Sequence, residues 1–135
     1  MIIKIISAAA TWPIRQMVMW PDHPVEFVQL EDDDKGIHYG LYKDEELVSV
    51  ISCFEEDKEM QFRKFATLQQ YQKQGLGTAL LYFVLDEAQK KGITKVWCNA
   101  RSDKKYFYEK FGLTATDKHF IKAGISFSIM EIRFN

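Results

Sequence analysis

Seven residues, Gln72-Lys73-Gln74-Gly75-Leu76-Gly77-Thr78, are the stretch of this 135-residue chain best suited to holding an anion. A run of strand-forming residues ends near Leu68, and a strong helical pattern begins at Gly75. The backbone N–H groups of a helix's first turn have no carbonyl of their own helix to bond, and they carry the positive end of its dipole. Gly75 and Gly77 allow close approach of the backbone, Thr78 adds a hydroxyl and Lys73 a positive charge, so a pyrophosphate fits. The segment lacks the Gly-Lys-Ser/Thr of a triphosphate-binding loop, and Leu80 stands where the dinucleotide fingerprint needs its third glycine. Both absences argue against nucleoside triphosphates and nicotinamide dinucleotides. Gly-x-Gly alone also describes a tight strand-to-helix turn that packs closely, and the loop by itself leaves both readings open.

Further along, Asn99-Ala100-Arg101-Ser102 ends a short strand, and Tyr106-Phe107-Tyr108-Glu109-Lys110-Phe111-Gly112-Leu113 reads as a short aromatic helix closed by Gly112. Tyr108 on its own is an amphipathic aromatic, ring inward and hydroxyl at the edge. Tyr106 lies on another side of the helix and reads as packing. Cys53 and Cys98 each sit in an apolar run, as buried reduced thiols do, and no metal site is expected. His119 has the flanks of an edge strand, and neither His23 nor His38 is better placed to act as a base. The acidic run Glu31-Asp32-Asp33-Asp34, with Asp22 and Glu26 nearby, could attract a cationic amine or form a solvated face.

The elements that must position these residues follow from periodicity. Met1 to Ile6 reads as a strand; Ser7 or Thr11 can cap a helix bearing Ile14, Met17 and Val18 that stops at Trp20-Pro21, with Pro13 in its first turn. Residues 21 to 36 read as a long connection. His38 to Lys43 and Leu47 to Phe54 stand at hairpin spacing, and Met60 to Leu68 follows a second acidic turn. Leu76, Leu80, Leu81, Val84, Leu85 and Ala88 form one apolar face of a helix ended by Lys90-Lys91-Gly92. Thr94 to Ala100 is a strand, Ser102 can cap a helix to about Phe111, and strands near Thr114 to Phe120 and Ser126 to Phe134 close the chain. The order implies an α/β (α+β) fold with a mixed sheet flanked by helices.

Length and a hydrophobic fraction of 47% suit one domain over residues 1–135. The formal charge of −1 gives no global field toward nucleic acid or an anionic membrane. A basic face of Lys90, Lys91, Lys95, Lys104, Lys105 and Lys110 lacks interleaved aromatics, so no nucleic-acid partner is expected. Neither a signal peptide nor a membrane span is evident, and the expected location is the cytoplasm.

Gln72-x-x-Gly75-x-Gly77 opening a helix, then a strand, then Phe107-Tyr108-Glu109-Lys110-Phe111-Gly112-Leu113, resembles the GNAT superfamily of N-acetyltransferases. The likeness is good from about Gly36 to Asn135 and looser before it. It implies a mostly antiparallel central sheet, splayed to admit acetyl-CoA, and transfer of the acetyl group to the primary amine of a small molecule or peptide by direct attack. Resemblance assigns the CoA pyrophosphate to Gln72, Lys73, Gln74, Gly75, Leu76, Gly77 and Thr78, the pantetheine arm to Phe65, Ala66 and Thr67, and the same cleft's lining to Asn99. It makes Tyr108 the general acid; a phenol of pKa about 10 can protonate a thiolate whose conjugate pKa is about 8.5 when held beside it.

The same resemblance puts Arg15 and Trp20 on the acceptor wall and leaves a homodimer open. The glutamate that many relatives carry on the corresponding strand is missing from Met60-Gln61-Phe62-Arg63-Lys64-Phe65, and Phe127 stands where some small relatives have a histidine. The base is therefore expected from a water chain or another loop. A catalytically weak acetyl-CoA-binding sensor or interaction module is the alternative.

Overall fold

Four isoleucines make Ile2–Ile6 a strand, β1, and Ser7 converts it directly into helix α1, Ala8–Met19, by accepting from the Ala10 N–H at 3.2 Å. Thr11, the other candidate cap, donates within the helix to the Ala8 carbonyl at 2.6 Å. Because the helix begins at Ala8, Pro13 falls in its second turn and not its first. The bond lost at the Ala9 carbonyl lies on an exposed stretch, where water can replace it.

The computed structural model describes every residue from Met1 to Asn135. After α1 come β2 (Ile37–Lys43), β3 (Glu46–Glu56), β4 (Glu59–Thr67), α2 (Leu76–Lys90), β5 (Lys95–Arg101), α3 (Lys105–Glu109), β6 (Thr114–Lys122) and β7 (Ile125–Arg133). The strands run in the order β1-β2-β3-β4-β5-β7-β6, a mixed, mostly antiparallel sheet with flanking helices, as expected. Asp44-Glu45, Asp57-Lys58 and Ala123-Gly124 link strand pairs as two-residue turns, with φ between 50° and 76° throughout. Two left-handed residues match the twist of the flanking strands, which is why two-residue hairpins use them. The α2 stripe is buried throughout: Leu80, Leu81 and Ala88 are fully inaccessible. Gly92, at φ 84°, closes that helix while Ile93 N–H reaches the Ala88 carbonyl at 3.0 Å. No helix is long and apolar enough to cross a membrane.

Two compact units share the chain, residues 1–54 with 62–86 and residues 55–61 with 87–135; the boundaries fall inside β3, β4 and α2. The first unit buries Val28, Leu41, Val48, Val50 and Ile51; the second buries Met60, Val96, Leu113 and Met130. In the second, β4 and β5 pair in parallel from Glu59↔Lys95 to Gln61↔Trp97.

The connection from 21 to 36 contributes more to the first unit than its composition suggests. It contains helical turns of the 3-10 type at Val25–Val28 and Asp33–Lys35, and buries Val28 and Asp33. Arg15, fully buried on α1, forms a two-pronged ion pair with Asp33, both contacts at 2.9 Å, and also donates to the Val28 carbonyl and to Ser52 Oγ. Ser52 in turn meets His38 Nδ1 at 2.7 Å, and His38 Nε2 meets the Asp33 carbonyl at 2.8 Å. Asp33 is a structural anchor, and the Arg15 guanidinium expected on an acceptor wall is committed to it.

Burial alone would raise the Asp33 carboxyl. Hydrogen bonds from Arg15, the Leu30 amide and the Trp12 indole, with Arg15's charge, together hold it at about 2, below its usual 3.8. A folded-state pKa below the unfolded one gives stability that is complete above pH 3.8 and lost as pH falls toward 2. The difference amounts to about 2 kcal/mol. Asp33→Asn is expected to cost about 3 kcal/mol or more in urea unfolding at neutral pH, because it leaves a buried guanidinium without its counter-charge. The variant should also lose this part of the acid transition. An unchanged urea midpoint would contradict the anchor role.

Candidate functional site

The end of β4 is bent and pinned within the first unit. Lys64 takes φ 54°, a left-handed conformation in mid-strand that kinks the chain and turns neighbouring peptide groups away from a regular ladder. Ser49 on β3 then holds the last residues, with its hydroxyl 2.8 Å from Thr67 Oγ1 and donating to the Ala66 carbonyl at 3.2 Å. The Leu68 N–H continues the attachment to the Val48 carbonyl at 2.9 Å.

From there the chain makes one 3-10 turn, Gln69–Tyr71, and doubles back. Gln72 Nε2 donates to the Thr67 carbonyl at 2.9 Å, tying the loop to the strand it has just left. Lys43 donates to Gln74 Oε1 at 2.8 Å, and the Tyr71 hydroxyl donates to Glu46 at 2.8 Å, so the β2–β3 turn buttresses the loop from outside. Lys73 at φ 64° and Gly75 at φ 80° reverse the backbone. Both residues are exposed, and the space a Gly75 Cβ would occupy is open.

Helix α2 makes its first backbone bond from Ala79 N–H to the Gly75 carbonyl at 3.0 Å. The amides of Leu76, Gly77 and Thr78 therefore have no acceptor in their own helix. Leu76 is buried and anchors the turn. Gly77 lets the helix start lie against β4: a Cβ there would sit 3.2 Å from Thr67 Oγ1 and 3.4 Å from the Phe65 ring. Phe65 through Thr67 and Gln72 through Thr78 thus form one built structure, an open anion cradle beside a kinked strand.

The remaining candidates belong to the second unit. On β5, Asn99 is exposed between the buried Cys98 and Ala100. Tyr108 is half-buried on α3, its ring edge-on to Phe107 with centroids 5.2 Å apart. Burial first, and the proximity of Cys98 second, raise the Tyr108 phenol above its usual range. Burial likewise pushes the Cys98 thiol up to about 12. Both groups stay protonated at neutral pH, as a proton donor must.

Several expectations change. Tyr106 is 78% exposed and packs against nothing that would hide it, because the helix is only five residues long and turns that position outward. Ser102 caps no helix; it lies in a 3-10 turn and its hydroxyl meets Ser126 Oγ at 2.8 Å. Trp20 packs edge-on to His23 and Phe27. His119 is exposed on β6 opposite Ser128, and Phe127 stacks on Phe120. The buttressing residues Lys43, Glu46 and Ser49 escaped sequence reasoning because they lie 31, 25 and 18 positions from their partners.

The acetyltransferase (GNAT) domain family matches residues 23–134. The N-acetyltransferase YitI of Bacillus subtilis (strain 168), itself uncharacterized, is 28% identical over 132 residues, spanning 91% of this chain and 89% of that protein. A crystal structure from Lactobacillus plantarum, provisionally named an N-acetyltransferase, superposes with a TM-score of 0.82 at 26% identity and covers 97% of each chain. A GNAT family acetyltransferase from Elizabethkingia anophelis, crystallised with acetyl-CoA bound, reaches a TM-score of 0.79 at 17% identity over 98% of this chain and 97% of that one.

Proposed function

The chain belongs to the GNAT acetyltransferase family, and from that premise we propose that residues 1–135 form one acetyltransferase domain that binds acetyl-CoA at the cradle and transfers its acetyl group to a primary amine. The observation that carries this reading is the cradle itself: three amides without helical acceptors, Lys73 beside them and open space over Gly75. That set offers hydrogen bonds and positive potential to a pyrophosphate. The bent end of β4, Phe65 to Thr67, offers peptide groups along which the pantetheine arm can add as a strand does. Asn99, exposed on β5, we assign to acetyl-CoA binding as well.

Transfer makes a C–N bond and breaks the thioester C–S bond. The amine must arrive neutral; once the C–N bond forms, nitrogen gives up one proton to a base or water and keeps the other in the amide, and the departing sulfur needs a proton in return. We assign that second proton to Tyr108, a phenol that stays protonated across the neutral range. As thiolate leaves, the phenol protonates it and is reprotonated from solvent. Backbone amides near the Lys64 kink are suited to the charge that develops on the carbonyl oxygen.

The test is turnover with acetyl-CoA and a panel of amines, following thiol release and product mass together. One N-acetyl product per thiol released is expected. Saturable acetyl-CoA binding with no acetylated product from any amine would identify a binding module in place of an enzyme.

A further inference from the structure

Six residues, Gln29, Leu30, Glu31, Asp32, Lys35 and Arg63, line a cavity of about 580 Å³ on the first unit. Four of them are charged, and they are unequally engaged. Arg63 lies over the Phe54 ring, 5.5 Å from its centroid, and touches Asp32 through one nitrogen at 3.4 Å. That contact is long for a charge-assisted hydrogen bond and engages one nitrogen of a five-donor guanidinium that lines the cavity. Arg15 is engaged far more closely in the same fold, two-pronged on Asp33 at 2.9 Å with both terminal nitrogens donating. Lys35 and Glu31 are exposed at the rim without an ion pair.

Position gives the cavity its meaning. Arg63 directly precedes the Lys64 kink and stands two residues before Phe65. An arm anchored at residues 72–78 and added along β4 from Thr67 runs back toward that kink, so its acyl end falls at mid-strand. A molecule seated in the Arg63 cavity lies beside that same stretch of β4. Another cavity of the first unit, about 480 Å³, is lined by Met17, Val18, Glu46, residues 68–70 and Gln72, beside the loop end of the arm, and no cation lines it.

We propose that the acceptor is an amine that also carries a carboxylate, with Arg63 and Lys35 binding the carboxylate while Glu31 and Asp32 draw the ammonium end into the cavity. The planar guanidinium fork matches a carboxylate, whereas a doubly charged phosphate would be repelled by the two flanking acids. This proposal rests on the donor reading above, because the acyl end's position locates the acceptor.

The experiment is calorimetric titration of the CoA-saturated protein with matched pairs, δ-aminovalerate against n-pentylamine and Nα-acetyl-lysine against its amide, together with kcat/KM for each. The carboxylate member of each pair is expected to bind about tenfold more tightly or better, the scale of one charge-assisted contact. Arg63→Gln should erase that preference with CoA affinity unchanged, and Lys35→Gln should reduce it. Equal binding within the pairs, a preference that survives both substitutions, or no binding by any member while CoA saturates would overturn the proposal. Failure of the unmodified protein to bind CoA would instead remove the donor reading.

Discussion

Tyr108→Phe is expected to lower kcat by about a hundredfold or more while leaving acetyl-CoA affinity within about twofold, since positioned proton transfer typically contributes that much to a reaction. The substitution removes one oxygen and keeps the ring that meets Phe107. Phenylalanine keeps the ring and its packing at position 108, so the effect should appear chiefly in the chemical step. Because the phenol's pKa is raised, the unsubstituted enzyme should show no loss of activity from this group as pH climbs through neutrality and the mildly alkaline range. Thiol release under acetyl-CoA saturation, with chemistry shown to be rate-limiting, is the readout. Full turnover in Tyr108→Phe would mean that water protonates the leaving sulfur.

Gly77→Trp should abolish CoA binding, weakening it at least about a hundredfold on the scale of a lost multi-contact anion site. The geometry specifies how. A Cβ at this position already presses on Thr67 Oγ1 and the Phe65 ring, so a bicyclic side chain has no room on the β4 side. It must wedge the start of α2 away from the strand or swing across the outer face of the loop, and either outcome disperses the three free amides. The steric block acts either through the junction of β4 and α2 or across the outer face of the loop. Gly77→Ala, which needs its neighbours to give by only a few tenths of an ångström, should weaken binding mildly. A folded Gly77→Trp protein that bound CoA normally would remove the loop from the donor site.

What could be read from residues alone, and what could not, divides along physical lines. The α2 stripe, the glycine ends of the helices and the strand-loop-helix order around Gly75 are local patterns, and local patterns are written in sequence spacing. The Arg15–Asp33 pair is not local. Asp32, Asp33 and Asp34 are chemically identical in the sequence; the turn at Asp33–Lys35 is what sends one inward, leaves one on Arg63 and exposes the third. The kink at Lys64 leaves no trace either, because lysine has no preference for a positive φ and only the surrounding strand can impose it. Tyr106 was misread for a different reason: five residues hold too few turns for periodicity to tell a packed face from an open one. Reading from Met60 to Phe65 finds no carboxylate, while the fold brings Asp32 to Arg63 from 31 positions away.

The central claim, that CoA lies along the end of β4 and over the start of α2, is tested most directly by following backbone amide resonances as CoA is titrated into the isotopically labelled protein. The account predicts saturable shifts that concentrate at Phe65 to Thr67 and at Gln72 to Thr78. Saturation with those amides unmoved and the shifts clustered elsewhere would contradict it.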